Sequence, residues 1–201
     1  MEELASTLAD LCAPEASKRL AASRVMERAA RMESNTARKE ALGCRTVTAT
    51  LIKALRDTEA NVVQNAVIAI AEISRRYFKD DRAYPAVVRL LGSPQQITRH
   101  WAIAAAIVLR EVASLPDVLP LARDKSAKVR AEVIRNATGL ARFSDLSGAA
   151  RTDLQALAVV AAADNDKHVR EYAANLARAL AETSGQRNET EPGAAPDTGR
   201  M

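Results

Sequence analysis

The sequence predicts an all-α chain built as a stack of about five helical hairpins, and three observations carry that reading. Residues 51–73, LIKALRDTEANVVQNAVIAIAEI, place Leu51, Ile52, Ala54 and Leu55 on a first helix that runs into Asp57 and Thr58, where the chain turns. Val62, Ala66, Ala69, Ile70 and Ile73 then follow at offsets 0, 4, 7, 8 and 11, the spacing that puts five side chains on one helical face. The same register recurs before and after this stretch. Hydrophobic residues make up 48% of the chain and aromatics only 3%, so the core is made of Ala, Leu, Val and Ile, which suits closely packed helices. A lone hairpin cannot bury such a face, so the hairpins must stack.

Residues 124–140 repeat the register with Val129, Val133, Asn136, Ala137 and Leu140, and residues 164–180 with Val169, Ala173, Leu176, Ala177 and Leu180. In both, an Asp stands five residues before the leading Val, and Arg130 or Arg170 follows that Val directly. Residues 93–109 give Thr98, Ala102, Ala105, Ala106 and Leu109, with Pro94 opening the helix and Arg99 in the Arg position. Residues 13–29 fit least well, with Lys18, Ala22, Val25, Met26 and Ala29, Pro14 at the turn and Arg19 after Lys18.

Taken in order, helices are expected over 2–11 and 14–32, the latter with Pro14 in its first turn, where no needed donor is lost. Residues 33–45 form a polar insertion, with a short helix over 35–42 that Gly43 stops. Helices over 46–56 and 59–78 make the second hairpin; 84–91, with Pro85 in its first turn, and 94–113 make the third. In the fourth, Pro120 should bend the short helix 115–123 by removing a hydrogen-bond donor, and its partner spans 126–142. After a connector at 144–148, helices 150–163 and 166–181 close the stack. We expect one repeat domain over 1–182. The Gly-, Pro- and polar-rich segment 183–201 has the composition of a disordered tail.

These residues resemble the HEAT repeat family, whose second helix opens with Asp-Pro, then Val-Arg, then small residues and Leu. The resemblance covers about residues 2–181. The leading positions Lys18, Val62, Thr98, Val129 and Val169 are 44, 36, 31 and 40 residues apart, irregular but near the family's period. It implies a right-handed α-α superhelix. It also implies an Asp-Arg ladder along the stack, here Asp57, Asp124, Asp164, Arg99, Arg130 and Arg170, incomplete at the N-terminal end because Val63 replaces the Arg and Ala13 the Asp.

The chemistry-bearing residues point to binding rather than catalysis. Cys12 and Cys44 stand far apart with no second pair, so neither a zinc site nor a disulfide framework is indicated, and both are expected to be buried thiols. His100 and His168 follow the turns of different repeats, without the adjacent Glu of HEAT-type iron hydroxylases. No Gly-rich phosphate loop, nucleophile elbow or carboxylate pair on one face is present, and Asp57, Asp124 and Asp164 are accounted for as helix caps. We therefore expect no enzyme, cofactor, metal or small-molecule substrate. The apolar runs are too short to span a bilayer, and the acidic start MEELAST lacks a signal core, so a cytoplasmic protein is expected.

Charge is distributed unevenly. Residues 182–201 hold four carboxylates against two arginines, leaving +6 on the rest of a chain whose net charge is +4. Between residues 18 and 45 there are eight basic side chains against three acidic ones, an excess of +5. Arg24, Arg28 and Arg31 share one helix face. Such a stripe is a solvated end face, a site for an acidic protein surface, or a clamp for phosphates. No aromatic side chain lies near it to stack on bases.

In HEAT stacks the second helices line the concave surface, which here presents Gln64, Arg99, His100, Arg135, Glu171, Asn175 and Arg178. Trp101 and Tyr172 hold equivalent places at the margin of the buried face, where an aromatic ring packs between repeats or anchors a partner. Asn136, on the inward face, must find a hydrogen-bond partner, expected in a neighbouring repeat. The expected function is a non-catalytic scaffold that binds a partner protein through its concave face and the N-terminal stripe, as adaptor, assembly factor or inhibitor. The alternative is a nucleic-acid binder gripping phosphates. Among HEAT-like enzymes, alkylpurine DNA glycosylases and bilin lyases are the alternatives, and no catalytic motif of either maps onto this sequence.

Overall fold

A computed structural model of the chain describes residues 2–32 and 36–188, with the backbone alone for 184–188. Eleven α-helices are present among them and no strand. The first hairpin is α1 (Glu2–Asp10) and α2 (Ala16–Arg31). A short insertion helix, α3 (Thr36–Leu42), precedes the second hairpin, α4 (Arg45–Ala54) and α5 (Ala60–Arg76). The third is α6 (Tyr84–Leu90) and α7 (Gln96–Arg110), the fourth α8 (Leu115–Val118) and α9 (Ala127–Phe143), and the fifth α10 (Gly148–Ala162) and α11 (Lys167–Asn188). The second helices α2, α5, α7, α9 and α11 pack against one another in chain order. They form one layer of the stack.

Each expected hairpin is present, and the differences lie at helix ends. Pro14 and Pro94 sit ahead of their helices, since Glu15 and Gln95 hold the extended N-cap positions. Helix α7 stops at Arg110, three residues early, because Glu111 takes a positive φ of 49°, a conformation that blocks helix continuation. Pro120 does interrupt the first helix of the fourth hairpin: α8 ends at Val118, and Leu119–Arg123 continues as a 3₁₀ helix. Gly43 ends α3 where a Cβ would lie 2.4 Å from the Lys39 carbonyl oxygen. The last helix runs on to Asn188 instead of ending at Ala181. Residues 189–201, most of the expected tail, lie outside the described residues.

The core is one continuous apolar cluster that runs through all five hairpins. Met26, Leu51, Val62, Val67, Ile70, Ile73, Ile103, Ile134, Leu154 and Leu176 are its largest fully buried side chains. Alanines fill the contacts between second helices, for example Ala66, Ala69, Ala102, Ala105 and Ala137. Small side chains let the helix axes approach closely, so each added hairpin extends the same core. The thiols depart from expectation: Cys12 is exposed and Cys44 half-buried. Cys12 lies in the turn after α1, beyond the reach of the helical face.

Candidate functional site

Turn chemistry sets the spacing of the stack. Oδ1 of Asp57, Asp124 and Asp164 accepts the backbone N–H two residues on, from Glu59, Ser126 and Asp166, each at 2.8 Å. These are Asx turns that lead the chain into the second helix. The same carboxylates receive an arginine from the preceding repeat. Arg19 reaches Asp57 through Nε at 2.6 Å and Nη2 at 3.1 Å, while Arg99 to Asp124 and Arg130 to Asp164 are forks with both contacts at 2.7 Å. Each arginine also donates Nη1 to carbonyls of its own turn: Arg19 to Ala13 and Pro14, Arg99 to Ser93 and Pro94, Arg130 to Asp124.

The ladder thus begins earlier than the sequence suggested. Arg19 supplies a rung to the second repeat, and the gap falls between the second and third repeats, where Val63 stands in the Arg position and Ser93 in the Asp position. Ser93 keeps the turn function alone, its Oγ accepting the Gln95 N–H at 3.3 Å. Arg170 ends the ladder on the carbonyls of Asp164 and Asn165. The arginine hydrogen bonds hold the carboxyls of Asp57 and Asp164 below the ordinary range, against the upward push of burial. Burial pushes Asp124 up most, yet Arg99 and the Ser126 N–H together leave it lowered. Arg99 therefore cannot serve as an exposed partner-binding residue. It is 5% exposed and fully engaged, because its position after the leading residue points it at the next repeat.

The other second-helix residues singled out above do reach the surface of that layer. A groove of about 690 Å³ runs across α7, α9 and α11, lined by Ile97, His100, Lys128, Ala131, Glu132, Arg135, Asp166, His168 and Tyr172. Its floor holds Glu132, which is buried at 3% exposure. Glu132 accepts from Arg135 Nε at 2.9 Å and from Asn136 Nδ2 at 2.7 Å, and His100 Nδ1 stands 3.7 Å away. Asn136 also donates to the Glu132 carbonyl, so its partner lies in its own helix rather than in a neighbouring repeat. His168 is exposed beside Glu171 at 3.3 Å. Gln64 is half-buried on α5.

Trp101 and Tyr172 are both half-buried against the core. The edge of His100 meets Trp101 with ring centroids 5.5 Å apart. Arg31 comes from the other end of the layer to lie 5.0 Å over the Trp101 ring, an attraction between cation and π-face. Two arginines of the stripe differ from the third. Arg31 is paired with Glu27 at 2.6 Å, whereas Arg24 and Arg28 are exposed and make no ion pair among the described residues. A second buried glutamate, Glu72, is held by Arg75 at 3.1 Å and Arg76 at 3.0 Å. Arg76 also donates to the carbonyls of Ala30, Arg31 and Met32, satisfying the open C-terminal end of α2. Sequence reasoning missed Glu72 and Glu132, since their burial depends on which helix covers them. Among the described residues no His, Cys, Asp and Glu cluster could hold a metal ion, and no helix is long and apolar enough to cross a membrane.

With the hairpins and the ladder in place, comparison with known proteins agrees on the architecture. Residues 48–138, the second to fourth hairpins, match the family model for HEAT repeats. These three hairpins are similar to HEAT repeats. Its fold is similar to a designed armadillo repeat protein in complex with the peptide (KR)4, with a TM-score of 0.72, 18% identity, and coverage of 88% of this chain and 81% of that one. It is also similar to computationally designed armadillo repeat proteins for modular peptide recognition, with a TM-score of 0.70, 18% identity, and 88% and 82% coverage. An engineered protein from a structural genomics consortium matches with a TM-score of 0.72, 18% identity, and 94% and 86% coverage. A search of curated proteins found no match. The HEAT and armadillo architecture is typically a non-catalytic scaffold for protein binding.

Proposed function

We propose that this protein is a scaffold that holds a segment of a partner protein along its second-helix layer, with Gln64, His100, Trp101, Arg135 and Tyr172 as contact residues and Arg24, Arg28 and Arg31 at one end. The observation that carries this reading is the groove over α7, α9 and α11, whose floor carboxylate and Tyr172 ring are held by their neighbours. Arg135 and Asn136 lock Glu132, and the rings of Trp101 and Tyr172 are packed on the core. A preordered groove loses little conformational entropy when it is filled. Tyr172 and Ile97 supply apolar contact, and Lys128, Arg135 and His100 supply donors.

The charge of the partner follows from the same geometry. The designed armadillo protein above is in complex with a peptide of alternating Lys and Arg. Here the two buried carboxylates of the layer are occupied by arginines of their own helices, so an incoming lysine or arginine would have to displace them. The groove favours neutral or acidic segments.

The test uses Trp101, the single tryptophan of the chain. Affinity capture with the wild type and with a His100→Glu, Arg135→Glu, Tyr172→Ala variant should recover a protein only with the former, and the captured partner should perturb the fluorescence of Trp101. Labelled duplex and single-stranded nucleic acids at roughly 50 and 200 mM salt should show no tight binding. Micromolar binding that collapses at the higher salt would instead assign the layer to phosphate contacts.

A further inference from the structure

The N-terminal end of the stack holds a second cleft, outside the groove over α7, α9 and α11. It lies among α1, α2 and α3, with a volume of about 620 Å³. Its floor is apolar: Met26 and Leu42 are buried, and Leu4, Ala29 and Ala41 are half-buried. Val25 and Met32 are each 49% exposed along it, an unusual exposure for large apolar side chains on a helix that has already buried its core face. Arg24 and Arg28 stand on the rim, and Glu3 lines it from α1.

We propose that this cleft docks an acidic amphipathic helix of a partner protein, and this rests on the protein-binding reading above. Three features select that occupant. Val25 and Met32 stand seven residues apart, about 10 Å or two helical turns, enough for apolar side chains at i, i+3 or i+4 and i+7 of an incoming helix. The walls are helices and no strand edge is present among the described residues, so an extended peptide finds no ladder of N–H and C=O groups to join. The rim is basic, with Arg24, Arg28 and Arg38 against Glu3. Glu27, the acid on α2 nearest the stripe, is taken by Arg31, while Arg24 and Arg28 have no carboxylate partner among the described residues. Carboxylates flanking the apolar stripe of the incoming helix would meet these two guanidiniums as the floor is covered. Apolar burial supplies the hold, and the arginines select the sign of the charge.

The probe is a synthetic helical peptide of about 18 residues, with Leu at i, i+3, i+4 and i+7 and Glu at the flanking positions, labelled for fluorescence anisotropy. Two controls carry Gln or Lys in place of every Glu. The acidic peptide should bind the full chain at least roughly tenfold more tightly than either control at about 0.1 M salt. Arg24→Glu with Arg28→Glu should remove that preference, and Val25→Ser with Met32→Ser should weaken all three peptides, each with an unchanged circular dichroism spectrum. The His100→Glu, Arg135→Glu, Tyr172→Ala variant should bind the peptide as the wild type does, which separates this cleft from the groove. Equal binding of the Glu and Gln peptides would overturn the proposal, as would indifference to either pair of cleft substitutions. A concentration-dependent dimer abolished by Val25→Ser and Met32→Ser would give the cleft to a second copy. Competition by a peptide of residues 189–201 at lower concentration than the acidic helix would give it to the chain's own C-terminal segment.

Discussion

Two neighbouring junctions of the stack are held together by different physics. Between the third and fourth repeats, Arg99 reaches into the next turn and forks onto Asp124, with the two side chains only 6% and 10% exposed. Between the second and third, the corresponding places are Val63 and Ser93, which form no ion pair, and the Lys79–Glu111 pair in that region is exposed. That junction relies on α5, whose Val67, Ile70 and Ile73 are at most 1% exposed. The comparison teaches that the rung is not what makes repeats adhere. A buried ion pair recovers in attraction about what it loses in desolvation, so apolar packing of similar volume can take its place. What the rung adds is register, since a fork accepts one geometry.

The sharpest way to break this comparison is to remove half of a rung. Arg99→Ala leaves Asp124 in a partly buried place without its partner, and should cost roughly 3–5 kcal/mol in chemical denaturation. Val63→Ala, at the same position in the preceding repeat, should cost only about 1 kcal/mol. Equal losses would remove the distinction between the junctions. Next in size is Ile70→Ala, which should destabilise by roughly 3 kcal/mol through the cavity it leaves. A much smaller loss would mean that the rungless junction is held by something other than packing.

Acid should then separate the two kinds of junction. The carboxyls of Asp57, Asp124 and Asp164 titrate below their unfolded values, so the stability they contribute is complete above about pH 4. It is lost as pH falls through the lowered folded values. Urea unfolding of the wild type should weaken steadily from pH 4 downward, and Arg99→Ala should weaken less steeply over the same range because Asp124 is no longer held low. Parallel pH profiles would contradict the assignment. The smallest effect is expected from building the missing rung: Val63→Arg with Ser93→Asp should change stability by no more than about 1 kcal/mol in either direction. A gain of several kcal/mol would show that the ladder contributes cohesion as well as register.

The hairpins were legible because each depends on a local signal. The recurrence of Val62, Val129 and Val169 at the head of a helical face, the Asp before it, and Pro120 in a short first helix need no distant residue to act. Helix ends were less legible. Nothing in the sequence near Arg110 announces that Glu111 adopts a positive φ, and α11 continues through Thr183 into a stretch that composition marked as tail. The candidate surface was legible in part. Arg24, Arg28, His100, Arg135, Trp101 and Tyr172 do lie on the surface or margin of the second-helix layer, while Arg99, expected beside His100 on that surface, is sealed into a rung.

The sequence by itself determined that this chain is a stack of helical hairpins, because a 3.6-residue periodicity and turn residues act within one repeat. Only the tertiary structure decided which charges remain available to a partner. Arg19, Arg99 and Arg130 are spent between repeats, Arg75, Arg76 and Arg135 neutralise buried glutamates, and Arg24 and Arg28 are left exposed. The reason is physical. An arginine side chain is long enough to reach its own turn, the next repeat or solvent, and which of these it meets depends on a neighbour many residues away in the chain.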